Sequence, residues 1–324
     1  MNVSRERLMG ESQATGFRPE VLEKVIHLMN LLEGFNRHPF LKGRLALKGG
    51  TALNLFLSDV PRLSVDIDLN YVGAIDRDTM MVERPKVEQA MQAVCSREGM
   101  AITRVPSDHA GGKWRLRYDS GFGGSGNLEV DLNYMFRVPL WPVSMFDARV
   151  GSYLAAGIPV LDVHELAAGK LAALFSRRAS RDLFDAHQLL TRIDLNRAKL
   201  RLAFVLYGAM NRKDWRTVAV DEVGYDPREL ENELIPVVRA ELLAKQKTGN
   251  WAEVMIAECR DRLDVVLPLS ANEIAFLDGI LDCGEIKPEL LTIDADLVGR
   301  IGAHPLLQWK ALNVRQHRKE GGGK

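Results

Sequence analysis

The sequence predicts an α/β chain: an N-terminal half built on a mixed β-sheet, followed by a mostly helical C-terminal half. Three observations carry this expectation. Alternating runs such as Ser64–Val72 and Asn127–Met135 interleave with helical periodicity in the first half. Helix-breaking residues then gather at Pro139, Pro142, Gly151, Gly157 and Pro159. From Asp162 onward the pattern is overwhelmingly helical. The expected division is residues 1–155 and 156–324, each long enough for its own core.

The elements follow in order. Pro19–Gly34 has proline at a helix start, glycine at its end and apolar residues at helical spacing. Leu45–Lys48 and Ser64–Val72 read as strands flanking a short helix from Thr51. Pro85 breaks the next pattern, so a helix is expected only over Lys86–Arg97. Ala101–Val105, Lys113–Tyr118 and Asn127–Met135 read as strands, with Gly121–Gly126 a flexible hairpin connection between the last two. Asp162-Val-His-Glu165 is close to a capping box and opens a helix running on toward Asp185. If that helix is unbroken, Lys170, Arg177 and Arg181 share one stripe, about two and three turns apart.

Composition sets the class. Apolar residues make up 46% and charged residues 27%, ordinary for a globular protein. No apolar run approaches the ~18 residues of a membrane span, and the N-terminus lacks a signal-peptide core, so a cytoplasmic chain without membrane contact is expected. Cys95, Cys259 and Cys283 lie far apart and read as reduced thiols. Hydrolase and zinc signatures (Gly-x-Ser-x-Gly, His-Glu-x-x-His, paired Cys-x-x-Cys) are missing.

The net charge is zero, but the average hides a pattern. Lys170 to Arg216 holds eleven Lys/Arg against four Asp, a net of +7, whereas residues 221–245 are acidic and Lys310–Lys324 is basic again. A phosphate-rich partner fits the basic block, with Arg177, Arg178, Arg181, Arg197, Lys199 and Arg201 as candidate RNA contacts and Trp215 as a stacking surface.

The most informative segment is 47–72. In the strand around Asp66-Ile-Asp68, Val65, Ile67 and Leu69 face one side and the two carboxylates the other. Paired carboxylates repel unless a cation neutralises them, which suits Mg²⁺. Upstream, Gly49-Gly50-Thr51 sits where a strand turns into a helix, and backbone there can approach a phosphate closely. Together these are the parts needed to handle a nucleoside triphosphate.

Lys48-Gly-Gly-Thr-Ala-Leu followed by Arg62-Leu-Ser-Val-Asp-Ile-Asp-Leu resembles the signature of the AbiEii/AbiGii-type toxins, the nucleotidyltransferase-like effectors of abortive-infection and MenT-like toxin–antitoxin systems. Glu165-Leu-Ala-Ala-Gly-Lys-Leu and Arg181-Asp-Leu-Phe-Asp resemble the family's two downstream motifs, in the same order. The resemblance implies a polymerase β-type nucleotidyltransferase domain with a mixed sheet, completed by a helical domain, with the active site in the cleft between them. It makes Ser64, Asp66, Asp68, Lys170 and Asp182 catalytic, and gives phosphate binding to Lys48, Gly49, Gly50, Thr51, Arg62 and Lys170. A third carboxylate is needed on a neighbouring strand. Glu129 and Asp131 share a strand face, and the similarity running through Asp131 to Arg137 favours Asp131 as the metal ligand. Asp185 is then only a helix-face partner for Arg181 or Arg178.

The reaction so implied is Mg²⁺-dependent transfer of a nucleoside monophosphate from an NTP to an acceptor hydroxyl, the 3′ end of tRNA. Its consequence would be blocked translation in phage defence, neutralised by a separate antitoxin protein. Two alternatives stand beside it. A protein acceptor would not need a basic cleft, and a catalytically silent nucleotide-binding module would have a third acid that never reaches the metal.

Overall fold

The computed structural model describes residues 3–106, 110–244 and 250–321, which form two compact units. The first comprises Met1–Arg137, Pro142–Leu161 and Glu231–Thr248; the second Val138–Trp141, Asp162–Leu230 and Gly249–Lys324. The expected division at 155/156 falls inside a strand, and the chain passes between units at Leu161/Asp162 instead. Residues 322–324, the end of the basic stretch Lys310–Lys324, lie outside the described residues.

The first unit is a seven-stranded mixed sheet backed by helices. In chain order it contains α1 (Arg5–Thr15), α2 (Pro19–Arg37), β1 (Leu45–Lys48), a short α3 (Gly49–Thr51) that runs on as a π-type turn over Ala52–Phe56, and β2 (Asp66–Tyr71). Then come α4 (Arg77–Arg97), β3 (Ala101–Arg104), β4 (Gly111–Asp119), β5 (Ser125–Asn133), β6 (Ser144–Val150) and β7 (Tyr153–Val160). The strand order is β3-β4-β5-β2-β1-β7-β6. β2 runs parallel to β5 and antiparallel to β1, which in turn runs parallel to β7.

Alternation explains which face is core. Ile67, Leu69, Leu128, Val130, Trp114 and Leu116 are all at most 3% exposed and line one side, where His27 of α2 stacks on Tyr118 of β4 at 4.1 Å. The polar residues between them point to the opposite face. Glu23 of α2, itself buried, accepts from the Gly121 backbone N–H at 2.6 Å and the Ser120 hydroxyl at 2.8 Å. The glycine loop is thus a hairpin turn tied down by a helix.

Two expectations about elements change. Pro85 does not break a helix but sits inside α4, which begins at Arg77. Asp76 caps it by accepting from the Thr79 N–H, and Glu83 is held by Arg44 and the Tyr71 hydroxyl. Buried Met80 before Pro85, with Val87 and Met91 after it, keeps both halves on the same core. That packing outweighs the roughly 3 kcal/mol cost of an interior proline. The Gly/Pro cluster around 140–160 is not a linker but the β6–β7 hairpin, with Gly151 (φ 57°) in the turn and Pro159 opposite Met145.

The second unit is helical, as expected. Its principal helices are α5 (Val163–Ser176), α6 (Ser180–Arg192) and α7 (Arg197–Ala209), with further helices at Trp251–Arg262, Ala271–Asp278, Ala295–Gly302 and Pro305–Gly321. The long helix through Asp185 is broken: Arg177 is extended (φ −147°, ψ 150°), so the expected Lys170/Arg177/Arg181 stripe does not form. Trp215 is fully buried between Phe204 at 5.0 Å and Phe175 at 5.8 Å, a core residue and not a stacking surface. The segment Val138–Trp141 is held in this unit by the buried Glu165 carboxylate, which accepts from the Leu140 and Trp141 N–H groups at 3.0 and 3.4 Å. Burial pushes that carboxyl up to about 8.

Candidate active site

The polar face of the first unit's sheet carries the candidate chemistry, and register places it. Asp68 on β2 is opposite Lys48 on β1 and Asp131 on β5, and Asp131 is opposite Lys113 on β4. Four adjacent strands therefore present the row Lys48–Asp68–Asp131–Lys113 on one face. The next row places Asp66 against Glu129, and Glu129 against Arg115.

The two candidate third acids have different surroundings. Glu129 accepts from Lys113 at 2.8 Å and from Arg115 at 3.1 Å. The Lys113 hydrogen bond is the main reason its carboxyl is held below the usual range. Asp131 is pushed up, first by burial and then by the neighbouring Asp68 charge, with Lys48 and Lys113 pulling the other way. Glu129 is already satisfied by cations, whereas Asp131 is a half-desolvated carboxylate beside another one.

Asp68 is seated against backbone. Gly49 adopts φ +73°, and a Cβ there would lie 2.2 Å from Asp68 Oδ2. The glycine thus matters for admitting the carboxylate to the turn, a role the sequence did not separate from phosphate binding. Thr51, fully buried, donates its hydroxyl to the Asp66 carbonyl and so fixes the start of β2. Asn54 donates to the Gly50 carbonyl at 2.9 Å, bracing the same turn. The Lys48 ammonium lies 5.3 Å from the centre of the Phe136 ring.

Two more of the expected residues have these surroundings. Arg62 is 2% exposed; its guanidinium donates to the Leu63 carbonyl and its backbone bridges to Val238. It holds the segment around Val238 to this unit. Ser64 lies half-buried in the two-residue approach to β2.

Among the described residues no three Asp, Glu, His or Cys side chains form a ready-made metal cage. Mg²⁺ does not require one, since it is commonly held by one or two carboxylates plus substrate phosphates and water. Asp68 and Asp131, with Asp66 two residues along the same face, are hard oxygen donors whose mutual repulsion a cation would relieve. The donor set fits such an ion.

In the second unit, Lys170 Nζ lies 2.7 Å from Asp185 and 3.2 Å from Asp182. Arg177 bonds the other oxygen of Asp182 at 2.5 Å. Both carboxylates are at most 2% exposed. Asp185, expected only as a helix-face partner of arginines, is the nearer of these two carboxylates to Lys170. The candidate RNA contacts of this unit are largely engaged internally. Arg201 pairs with buried Glu273 at 2.6 and 3.0 Å and donates to the Pro268 carbonyl. Arg197 donates to the Asp264 carbonyl, while Lys199 lies 3.8 Å from Asp162 and 5.0 Å from the centre of the Trp141 ring. Arg178 is exposed and Arg181 half-buried. His187, set aside from the sequence, bonds Glu258.

One basic feature was missed. Lys113, Arg115 and Arg117 alternate along β4 with buried Trp114, Leu116 and Tyr118. The signal was present as Lys-Trp-Arg-Leu-Arg-Tyr, but counting charge by block diluted it.

A family model described as "Nucleotidyl transferase AbiEii toxin, Type IV TA system" matches residues 30–264, most of the chain. The chain belongs to this AbiEii family. It is therefore a nucleotidyltransferase toxin of a type IV toxin–antitoxin system, a class that implies an NTP substrate and an antitoxin partner. Nucleotidyltransferases of this kind generally use a divalent metal. Among solved structures the chain is similar to MenT4, a nucleotidyltransferase toxin from Mycobacterium tuberculosis H37Rv, at TM-score 0.57 and 18% identity, covering 93% of this chain and 99% of that one. At that identity the likeness shows the fold of the AbiEii member and nothing finer. No curated protein matches the sequence. No helix among the described residues is long and apolar enough to cross a membrane.

Proposed function

We propose that this toxin transfers a nucleoside monophosphate from an NTP to the 3′-terminal hydroxyl of tRNA, using Mg²⁺, and thereby blocks translation until its antitoxin neutralises it. The observation that carries the reading is the parallel β2–β5 register, which sets Asp68 beside Asp131 on the polar face next to Gly49.

Asp66, Asp68 and Asp131 would hold the metal, which when bound supplies neutralisation of phosphate charge. Asp131 takes the proton of the attacking hydroxyl, a role suited to a carboxyl raised above its ordinary range. The hydroxyl oxygen forms its bond to the α-phosphorus, the bond from that phosphorus to the bridging oxygen breaks, and pyrophosphate leaves. Lys48, opposite Asp68, keeps a positive charge beside the transferring group. Glu129 acts elsewhere, fixing Lys113 and Arg115 on the acceptor side. Lys170 and Asp182 enter through their motif positions, where Lys170 pairs with Asp182 and Asp185 and Arg177 also pairs with Asp182.

The test is to incubate pure protein with each labelled NTP and Mg²⁺, together with total tRNA and cell lysate. A labelled tRNA band is expected. Label on a protein band and not on RNA would replace this reading with a protein acceptor.

A further inference from the structure

The row of cations on β4 lies on the same face as the acids, and its register is fixed. Lys113, Arg115 and Arg117 face Asp131, Glu129 and Asn127 across β5. On the other side, at the sheet edge, Arg104 of β3 faces Arg115. Their exposure is substantial: 55% for the Lys113 side chain and 57% for that of Arg115, with Arg117 and Arg104 also exposed. Among the described residues Arg104 and Arg117 make no ion pair. One carboxylate, Glu129, is shared by Lys113 and Arg115, so the patch keeps a net positive charge immediately beside a cluster of acids.

We propose that this face of β4 and β3 is the track for the phosphodiester backbone of the acceptor RNA, with Arg115, Arg117 and Arg104 gripping phosphates so that the terminal hydroxyl lies at Asp131. The assignment rests on the nucleotidyl-transfer reading above and moves the RNA contacts from the helical unit to the sheet. Outward side chains two apart on a strand are about 6.8 Å apart, which suits successive phosphates of an extended single strand. Arginine forks bind phosphate bidentately, and the bond that Arg115 donates to Glu129 pre-orients it. A run of guanidinium groups leading to paired carboxylates is charge-complementary to a polyanion that ends in a neutral hydroxyl. An NTP, being short, would not need cations out to the sheet edge.

The experiment is Arg104→Glu/Arg117→Glu, assayed by transfer of labelled nucleotide to total tRNA and to a single-stranded oligoribonucleotide with a 3′ hydroxyl. Both residues are exposed and make no ion pair among the described residues, so the fold should survive, which the melting temperature checks. KM for RNA should rise at least tenfold and KM for NTP stay unchanged. The salt slope of RNA binding should shallow by about 0.7 per lost contact. Arg104→Lys/Arg117→Lys should restore most of the binding. If the wild type labels RNA and the Glu variant does so with the same KM, the track is overturned and the transfer reading stands. If the wild type labels protein and leaves RNA unlabelled, both fall.

Discussion

Gly49 and Asp68 are in direct apposition: a Cβ on the glycine would meet Asp68 Oδ2 at 2.2 Å. The turn after β1 is therefore shaped by the carboxylate that β2 brings to it. Gly49→Ala should displace the Asp68 carboxylate and cut turnover at least a hundredfold, which is about 2.7 kcal/mol. It should also lose about 1–2 kcal/mol of stability from the left-handed backbone. Gly43→Ala is the control, since Gly43 has φ +76° with nothing within 4 Å of its Cβ position. It should show a similar stability loss and keep its turnover. Equal turnover in the two variants would remove the apposition from the mechanism.

The paired acids give a second expectation. Asp131→Asn should abolish transfer while raising the melting temperature near neutral pH, because burial and Asp68 raise the Asp131 carboxyl. The sign follows from linkage: a carboxyl raised on folding binds its proton more tightly in the folded state. Its ionisation then costs stability above the folded-state pKa and costs nothing below the unfolded value. The gain in the variant should fade as pH is lowered through the acidic range. A melting temperature that falls at neutral pH, followed by scanning calorimetry, would show that Asp131 is stabilising instead.

These two residues also mark how far the sequence could be read. The strand alternation around Asp66 and Asp68 was legible because period two is local. For the acid on 127–135, the resemblance favoured Asp131 but alternation alone left Glu129 equally open, because what distinguishes their surroundings is Lys113 and Arg115 reaching Glu129 across strands. The β6–β7 hairpin was hidden by Gly151, Gly157 and Pro159, residues that usually punctuate but here sit in or beside paired strands. Arg201 counted toward a basic block, yet its charge is spent on Glu273 from a distant segment. Local pattern gave the elements; tertiary pairing decided which charges remain available.

Arg201 yields a prediction that separates the two candidate RNA surfaces. Arg201→Glu should destabilise the second unit by about 3–5 kcal/mol, since it leaves the buried Glu273 carboxylate against a like charge. RNA affinity per folded molecule should be unchanged. A stable Arg201→Glu protein that has lost RNA binding would return the acceptor surface to the helical unit.

The buried Glu165 offers a pH test confined to the second unit. Its carboxyl, raised to about 8, accepts from Leu140 and Trp141 N–H groups and from the Tyr207 hydroxyl at 3.3 Å. A folded-state value above the unfolded one means the folded chain holds a proton that the unfolded chain gives up. Stability should therefore fall as pH rises from the ordinary glutamate range to about 8, then level off. Glu165→Gln keeps the acceptor oxygen for the two N–H groups and removes the ionisation. Its urea midpoint should be flatter over that window and should exceed the wild type's at its upper end. Parallel curves for the two proteins would mean Glu165 does not carry that proton.

Lys170 is the residue for which structure and motif pull hardest in different directions. Its ammonium bridges two carboxylates that are almost fully buried, so truncation takes one cation from both, with Arg177 still bonding Asp182. Lys170→Ala alone should cost about 3–5 kcal/mol, whatever the lysine does in catalysis. The double variant Lys170→Ala/Asp185→Asn removes one of the two charges and should recover a good part of that stability. Turnover per folded molecule in this double variant is the informative quantity. A loss of at least tenfold, about 1.4 kcal/mol, means the ammonium also serves the triphosphate. Wild-type turnover in a stable double variant would show that Lys170 only ties α5 to α6.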